Sequence, residues 1–275
     1  MNTKITFIGA GNMASGMVGG LIQHGWPAHH LTAADIDVRK LDQLKQQYEI
    51  ETTTDNTQAI HQAGVVIFAV KPPIMRLAAK TLAPALTAQK PLIMSIAAGI
   101  QTNHIGQWLG SALSIVRCMP NMPALVQLGA TGLYANAQTT DDEKALAQSI
   151  TDAIGLSVWV DTERELDLVT ALSGSGPAYF FLFMEALEQA AQSLGLSSDA
   201  AHQLTLQTAL GAVTMATEAT DSLATLRKNV TSPGGTTEKA ILSFENTQFR
   251  QHIATAVNAA YQRSMELSQQ FGQDE

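Results

Sequence analysis

Ile5-Thr6-Phe7-Ile8-Gly9-Ala10-Gly11-Asn12-Met13-Ala14 decides the fold. Its first four residues form a β-rich apolar run, and a GxGxxA turn leads from it directly into a helical pattern. In a dinucleotide turn, Gly9 permits the tight bend and Gly11 lets a pyrophosphate approach the backbone. Small Ala14 allows strand and helix to pack closely. Alone the pattern is weak, because a structural glycine turn in another doubly wound fold reads the same way. Its setting strengthens it: a second β-rich run ends at Asp35, roughly 20 residues further on.

Outward from this turn, β-rich runs at 5–8, 31–34, 65–70, 92–96 and 114–117 alternate with helical stretches at 13–24, 39–48 and 74–85. Runs at 133–135 and 158–160 are weaker. Alternation at this spacing predicts a doubly wound, mostly parallel α/β sheet over residues 1–160, with right-handed crossovers. From 161 to 275 the strand pattern all but disappears. Pro177 suits a first helical turn, and helical sequence runs from Tyr179 to Leu194, stopping at Gly195. Ser197-Ser198-Asp199 offers a cap for a helix reaching about Ala219, Thr236 or Thr237 offers another, and a last helix covers 249–270. The second domain is therefore expected to be all-α. Phe180, Phe181, Phe183, Met184 and Leu187 cover nearly every face of their helix, which means either a monomer core or a subunit interface.

The chain has 275 residues, 45% hydrophobic and 15% charged, enough for a sizeable core in one large domain or two ordinary ones. A formal net charge of -8 excludes a general nucleic-acid or membrane-surface binder, which needs a basic face, and leaves room for a local cationic pocket. Cys118 is the single cysteine, so no intrachain disulfide forms, in keeping with a reducing cytoplasm. No basic region and long apolar stretch mark a signal peptide at the start. The most apolar segment, 178–187, contains Glu185 and reads as too short and too charged to cross a bilayer. The histidines are scattered, and no HExxH or CxxC spacing suggests a metal.

In an open α/β sheet, ligands bind in the crevice outside the carboxyl ends of the strands. Asp35 ends the second run. An acidic residue there accepts from a ribose hydroxyl and favours NAD, while Arg39 stands near enough to compensate a 2′-phosphate. The bland reading is that Asp35 and Asp37 cap the next helix. Lys71, in Val70-Lys71-Pro72-Pro73, stands near cofactor phosphates or in a solvated turn. Ala97-Ala98-Gly99 lets a flat ring pass close to the backbone. Arg117-Cys118-Met119-Pro120-Asn121-Met122-Pro123 forms an irregular loop at the same edge, in which Cys118 reads as a small buried residue. Two further turns lie in the second half: Leu172-Ser173-Gly174-Ser175-Gly176-Pro177 and Ser232-Pro233-Gly234-Gly235-Thr236-Thr237. Each joins glycines to hydroxyls and then enters a helix, exposing backbone N–H groups to a carboxylate or phosphate. With the first turn, they point to an enzyme holding two anionic ligands.

In this order, Gly9 to Ala14, Asn56, Val70 to Pro72, Ala97 to Gly99, Arg117 to Pro123, Leu172 to Tyr179 and Ser232 to Thr237 resemble the pyrroline-5-carboxylate reductase family along nearly the whole chain. The last two blocks are the specific ones. The resemblance implies a Rossmann domain over 1–160 and an all-α substrate-binding and dimerisation domain over 161–275, with some members assembling into decamers. It implies an oxidoreductase that uses NADPH or NADH to reduce the cyclic imine acid Δ1-pyrroline-5-carboxylate to L-proline, the last step of proline biosynthesis. The cofactor residues it implies are Gly9, Gly11, Asn12, Met13, Ala14, Asp35, Asn56, Val70, Lys71, Pro72, Ala97 and Ala98. The N–H groups of Gly234, Gly235 and Thr236 receive the substrate carboxylate, and Thr237 orients the imine nitrogen. Glu163 and Asn229 line the substrate pocket, and Ser175 closes beside the nicotinamide. Ser175 and Thr237 also read as helix N-caps, and Glu163 as part of a solvated acidic stretch with Asp161 and Glu165. A neutral hydroxyl is a poor proton source, so water or an already protonated iminium carries the acid role.

Two positions depart from the family pattern. Leu223 stands where members often carry proline, and Asp35 where serine or asparagine is commoner, which leans towards tolerance of NADH. A β-hydroxyacid dehydrogenase shares the two-domain plan but uses a lysine on the helical domain, and no lysine or arginine occurs between Arg164 and Arg227. A non-catalytic nucleotide-binding protein has no need of the two hydroxyl-rich turns.

Overall fold

The β-rich runs pair as one sheet in the computed structural model, which describes residues 3–273. Ile5–Ile8 (β1), Leu31–Ala34 (β2), Glu51–Thr53 (β3), Val65–Phe68 (β4), Leu92–Ser95 (β5), Ile115–Met119 (β6), Gly129–Ala135 (β7) and Gly155–Trp159 (β8) lie in the order β3-β2-β1-β4-β5-β6-β7-β8. Asn12–Gln23 (α1), Val38–Tyr48 (α2), Asn56–Ala59 (α3), Pro72–Gln89 (α4), Thr102–Leu109 (α5) and Asp141–Asp152 (α6) connect them. Successive strand side chains point to opposite faces, so buried strands feed two cores. Phe7, Ile67 and Met94 pack with Met17 and Leu21 of α1 on one face. Ile8, Val66, Phe68 and Ile93 pack with Met75 and Leu82 of α4 on the other.

All pairings are parallel except that of β6 with β7. β6 ends at Met119 and β7 starts at Gly129, too short a connection for the crossover that parallel strands require. The order reverses between β1 and β4, which opens the ligand crevice of such a sheet at the end of β1. β3 escapes the sequence pattern because it is a short edge strand of Glu51, Thr52 and Thr53 with no apolar alternation. α6 also goes unpredicted, although it opens on a capping box in which the Glu143 N–H donates to Thr140 Oγ1 and the Thr140 N–H donates to Glu143 Oε2.

The remaining helices are Glu165–Val169 (α7), Gly176–Ser193 (α8), Ser198–Glu218 (α9), Leu223–Asn229 (α10), Thr236–Asn246 (α11) and Phe249–Gln273 (α12), with a π-helical turn at Thr170–Gly174 between α7 and α8. The chain forms two compact units, one running to Ser175 and resuming at Ala260, the other Gly176–Ala259. Residues 161–175 and the end of α12 thus belong by contact with the sheet, whereas sequence composition alone drew the line at 160. Within the helical unit, α8 and α9 pack together, and Phe183, Phe244 and Phe249 form an aromatic cluster with centroids 5.3–6.3 Å apart. Yet only Gly176, Ala201 and Thr205 of this unit are buried, while Phe180, Phe181 and Leu182 are 65–67% exposed. A monomer core is therefore not what this aromatic helix builds.

From Glu165 to Ser193 the helical run is continuous over 29 residues, and an 18-residue stretch of it reaches a mean hydropathy of 1.2, enough to cross a membrane by length and composition only.

Candidate active site

Gly9 sits at the reversal of strand order with φ of 108°, and a Cβ there would lie 2.6 Å from the Ala69 carbonyl oxygen. Only glycine fits this close approach of the β1 turn to the end of β4. Gly11 has open space where a Cβ would project, the room that a pyrophosphate needs. It is also the N-cap of α1, which has no side-chain cap and no acidic residue in its first turn. The first amides of that helix, at Asn12 and Met13, have no acceptor within the helix and face an anion favourably. Ala14 is buried beneath the turn. These features fit a dinucleotide phosphate. Val70 and Lys71 follow β4, Ala97 and Ala98 follow β5, and Asn56 opens α3 beyond β3, all at carboxyl ends of neighbouring parallel strands. Lys71 is exposed and N-caps α4, where Pro72 and Pro73 fill the first two positions.

Asp35 has a structural task. Its Oδ2 accepts from the Ala10 N–H at 2.8 Å and its Oδ1 from the Asp37 N–H at 2.9 Å, clipping the glycine turn to the end of β2. Lys40 Nζ lies 3.8 Å from Asp35 Oδ2. Asp35, expected from sequence to accept from a ribose hydroxyl, also holds two backbone N–H groups, one on each oxygen. Asp37 does cap α2, and its hydrogen bond from the Arg39 side chain holds its carboxyl below the usual range. A groove of about 650 Å³ runs from Ala10, Gly11 and Asn12 to Lys40 and Gln43. Lys40 is a groove residue that the sequence reading passed over, since nothing distinguishes it from any other surface helix lysine until α2 is folded beside the turn.

At the end of β6, Cys118 is buried, and burial pushes its thiol well above the usual range, so no thiolate nucleophile forms. Asn121 uses both ends of its amide: Nδ2 donates to the Ser173 carbonyl at 2.9 Å and Oδ1 accepts from the Ala130 N–H at 2.8 Å. It thereby ties the loop after β6 to the Ser173-Gly174-Ser175 run. That run ends the π-helical turn Thr170–Gly174, which is closed by the Ser175 N–H donating to the Thr170 carbonyl at 2.8 Å. Ser175 stands at the end of this turn, just ahead of α8.

Glu163 faces inward. Its Oε1 accepts from the Thr102 N–H at 2.7 Å and from Arg117 Nη1 at 3.3 Å, and its Oε2 from Thr102 Oγ1 at 2.9 Å. It is not a solvated acid, since both its oxygens are hydrogen-bonded.

In the helical unit, Asn229 ends α10 and is exposed, and the Ser232 to Gly235 turn leads into α11. Gly235 is the N-cap of α11 and carries no side-chain cap. The Gly234 N–H, expected from sequence to be open to substrate, donates to Glu238 Oε2 at 2.8 Å, and that of Gly235 donates to the Ser232 carbonyl at 3.0 Å. The turn therefore already holds a carboxylate, that of Glu238, three residues into its own helix. The first-turn amides of Thr236 and Thr237 and the exposed Thr237 side chain follow. Neither threonine is the N-cap.

A doubly wound sheet with an open-faced glycine turn fits a dinucleotide-binding fold, and the matches to known proteins make the chain an NAD(P)H-dependent oxidoreductase. Residues 4–99 match the family described as NADP oxidoreductase coenzyme F420-dependent, and residues 163–267 match the family described as pyrroline-5-carboxylate reductase dimerisation. The chain is 47% identical over 270 residues to the pyrroline-5-carboxylate reductase of Pseudomonas aeruginosa, covering 98% of each chain. Among solved structures, that of the reductase from Coxiella burnetii superposes with a TM-score of 0.94 at 46% identity, over 97% of this chain and 99% of the other. The Plasmodium falciparum enzyme with NADP bound superposes with a TM-score of 0.85 at 29% identity, over 97% and 98%. The chain belongs to the pyrroline-5-carboxylate reductase family.

Proposed function

We infer that the protein reduces Δ1-pyrroline-5-carboxylate to L-proline with NADPH or NADH, the closing reaction of proline biosynthesis. The observation that carries this is the 47% identity to a reductase of that name over 98% of both chains. When bound, the cofactor supplies a hydride to the imine carbon. The chain contributes position and electrostatics. Gly9 and Gly11 clear the approach to the backbone, and Asn12 and Met13 offer amides to the pyrophosphate. Ala97 and Ala98 admit the flat nicotinamide. Lys40 and Arg39 attract a 2′-phosphate, while Asp35 keeps a negative charge near the ribose and leaves NADH usable.

The substrate carboxylate binds the start of α11, at the amides of Thr236 and Thr237, and replaces Glu238 at Gly234. The carboxylate of Glu238 on that turn supports this, because it shows the chemistry the turn accepts. The Thr237 hydroxyl orients the imine nitrogen, and a protonated iminium or water delivers the proton. Asn229, at the end of α10, also contacts the substrate, and Ser175 is assigned to the nicotinamide.

The working unit is a homodimer joined through the helical unit, and it is the building block of any decamer. The exposed Phe180, Phe181 and Leu182 support this, as does the match of 163–267 to a dimerisation family. The buried lone cysteine is compatible with a reducing cytoplasm.

The test is loss of reduced-nicotinamide absorbance when purified protein meets pyrroline-5-carboxylate and either cofactor. Turnover to proline is expected. Cofactor binding without turnover would leave only a nucleotide-binding module, and turnover confined to hydroxyacids would move the chain to another reductase class.

A further inference from the structure

A buried charge cluster lies away from the glycine turn and has no part in the chemistry above. Arg117, on β6, has a side chain only 2% exposed. Its Nη1 reaches Glu163 Oε1 at 3.3 Å, and its Nη2 lies 3.9 Å from Asp167 Oδ1 on α7. Asp167 in turn accepts from Ser264 Oγ at 2.7 Å and Ser268 Oγ at 3.2 Å, both on the C-terminal part of α12. One guanidinium thus lies between two carboxylates in the interior, hydrogen-bonding Glu163 through Nη1 while Nη2 has no hydrogen-bond partner among the described residues, and such a cluster needs the remaining lone pairs of its carboxylates satisfied. Glu163 meets that condition by accepting both the N–H and the hydroxyl of Thr102.

Thr102 is the first residue of α5, and Gln101 before it provides no side-chain cap. Glu163, 61 residues further along the chain, does the capping. What lies just ahead of Thr102 is loop 97–101, which carries Ala97 and Ala98. This loop has a second fastening. Gly99 has φ of 77°, and a Cβ there would meet the Phe271 ring at 3.0 Å, so the end of α12 packs against it. Loop 97–101 is therefore gripped at Thr102 by Glu163 and at Gly99 by Phe271, and both grips lead back to Arg117, Asp167 and α12. All these groups lie in the sheet unit.

We propose that Glu163, held by Arg117, is a positioning residue for the cofactor loop 97–101 and not a ligand of the substrate. The inference rests on the reading above that Ala97 and Ala98 face the nicotinamide. It assigns Glu163 a task opposite to the one implied by family resemblance, so the two separate in a binding experiment.

The experiment compares wild type with Thr102→Val, Thr102→Ser and Glu163→Gln. It reads the NADPH dissociation constant by fluorescence, KM for NADPH and for pyrroline-5-carboxylate, amide exchange of 97–101 without ligands, and the unfolding midpoint. Thr102→Val and Glu163→Gln are expected to weaken NADPH binding about fivefold or more, as loss of one hydrogen bond to a charged group implies. KM for the imine acid should stay within about twofold, and exchange at 97–101 should quicken. Thr102→Ser keeps the hydroxyl and should behave as wild type. A raised imine-acid KM with unchanged NADPH affinity would restore Glu163 to the substrate pocket and overturn the proposal. Equal NADPH affinity in all four proteins would overturn it as well. A wild type that binds NADPH but turns over no imine acid would sink the functional reading alone, since the NADPH and exchange measurements still decide the role of Glu163.

Discussion

The two units bury their apolar residues very differently. In the sheet unit, β1, β4 and β5 are buried along their whole length, and helices close both faces. In Gly176–Ala259, three residues are buried, and phenylalanines and leucines stand open along α8 and α9. The first unit contains what folding requires of it, a contiguous apolar core on each side of the sheet. The second has equally apolar sequence but no interior of its own, and apolar surface on this scale marks an interface. The two glycine turns are also held in different ways. The glycine turn of the sheet unit is held by the backbone and the Asp35 clip, whereas the turn before α11 is held by the side chain of Glu238.

Breaking the contrast most sharply takes one charge. Phe181→Asp, 65% exposed in the single chain, should cost several kcal/mol at a two-fold interface, because each subunit then buries an unpaired carboxylate. Sedimentation should show monomer, and turnover should vanish. Phe7→Ala, in the sheet core, should cost about 3–5 kcal/mol of folding stability without altering the oligomer. A Phe181→Asp protein that stays dimeric would show that the open face is not the interface.

A smaller effect tests the helical turn. Thr237→Ala should lower turnover about ten- to a hundredfold, the worth of one hydrogen bond to a charged group, while the NADPH dissociation constant stays as it was. An unchanged rate would remove Thr237 from the chemistry. The smallest effect sharpens the sheet side. Lys40→Ala should raise KM for NADPH about two- to fivefold relative to NADH, since an exposed charge contact is weak and the substitution leaves Asp35 without its neighbouring cation. Equal changes for both cofactors would place the 2′-phosphate elsewhere.

Much of this was legible without coordinates. Periodicity gave the central strands, the GxGxxA turn gave the start of α1, and the cap offered by Ser197-Ser198-Asp199 falls on Ser197. The partners of Asp35, Glu163 and Gly234 were not legible. Residue type says that a carboxylate or an amide is present, and only folding shows which group already engages it. Arg117 illustrates the same limit: in sequence it is one residue of a loop motif, and its bonds reach 46 residues along the chain.

The sequence by itself determined the alternation of strands and helices, the dinucleotide turn and the family, because these depend on local periodicity and on residues adjacent in the chain. Tertiary structure alone decided that the helical unit lacks a core, that Asp35 clips the turn, and that Glu163 caps α5. Those facts depend on which distant groups meet once the sheet and helices pack, and hydrogen bonds and burial follow distance in space, not order along the chain.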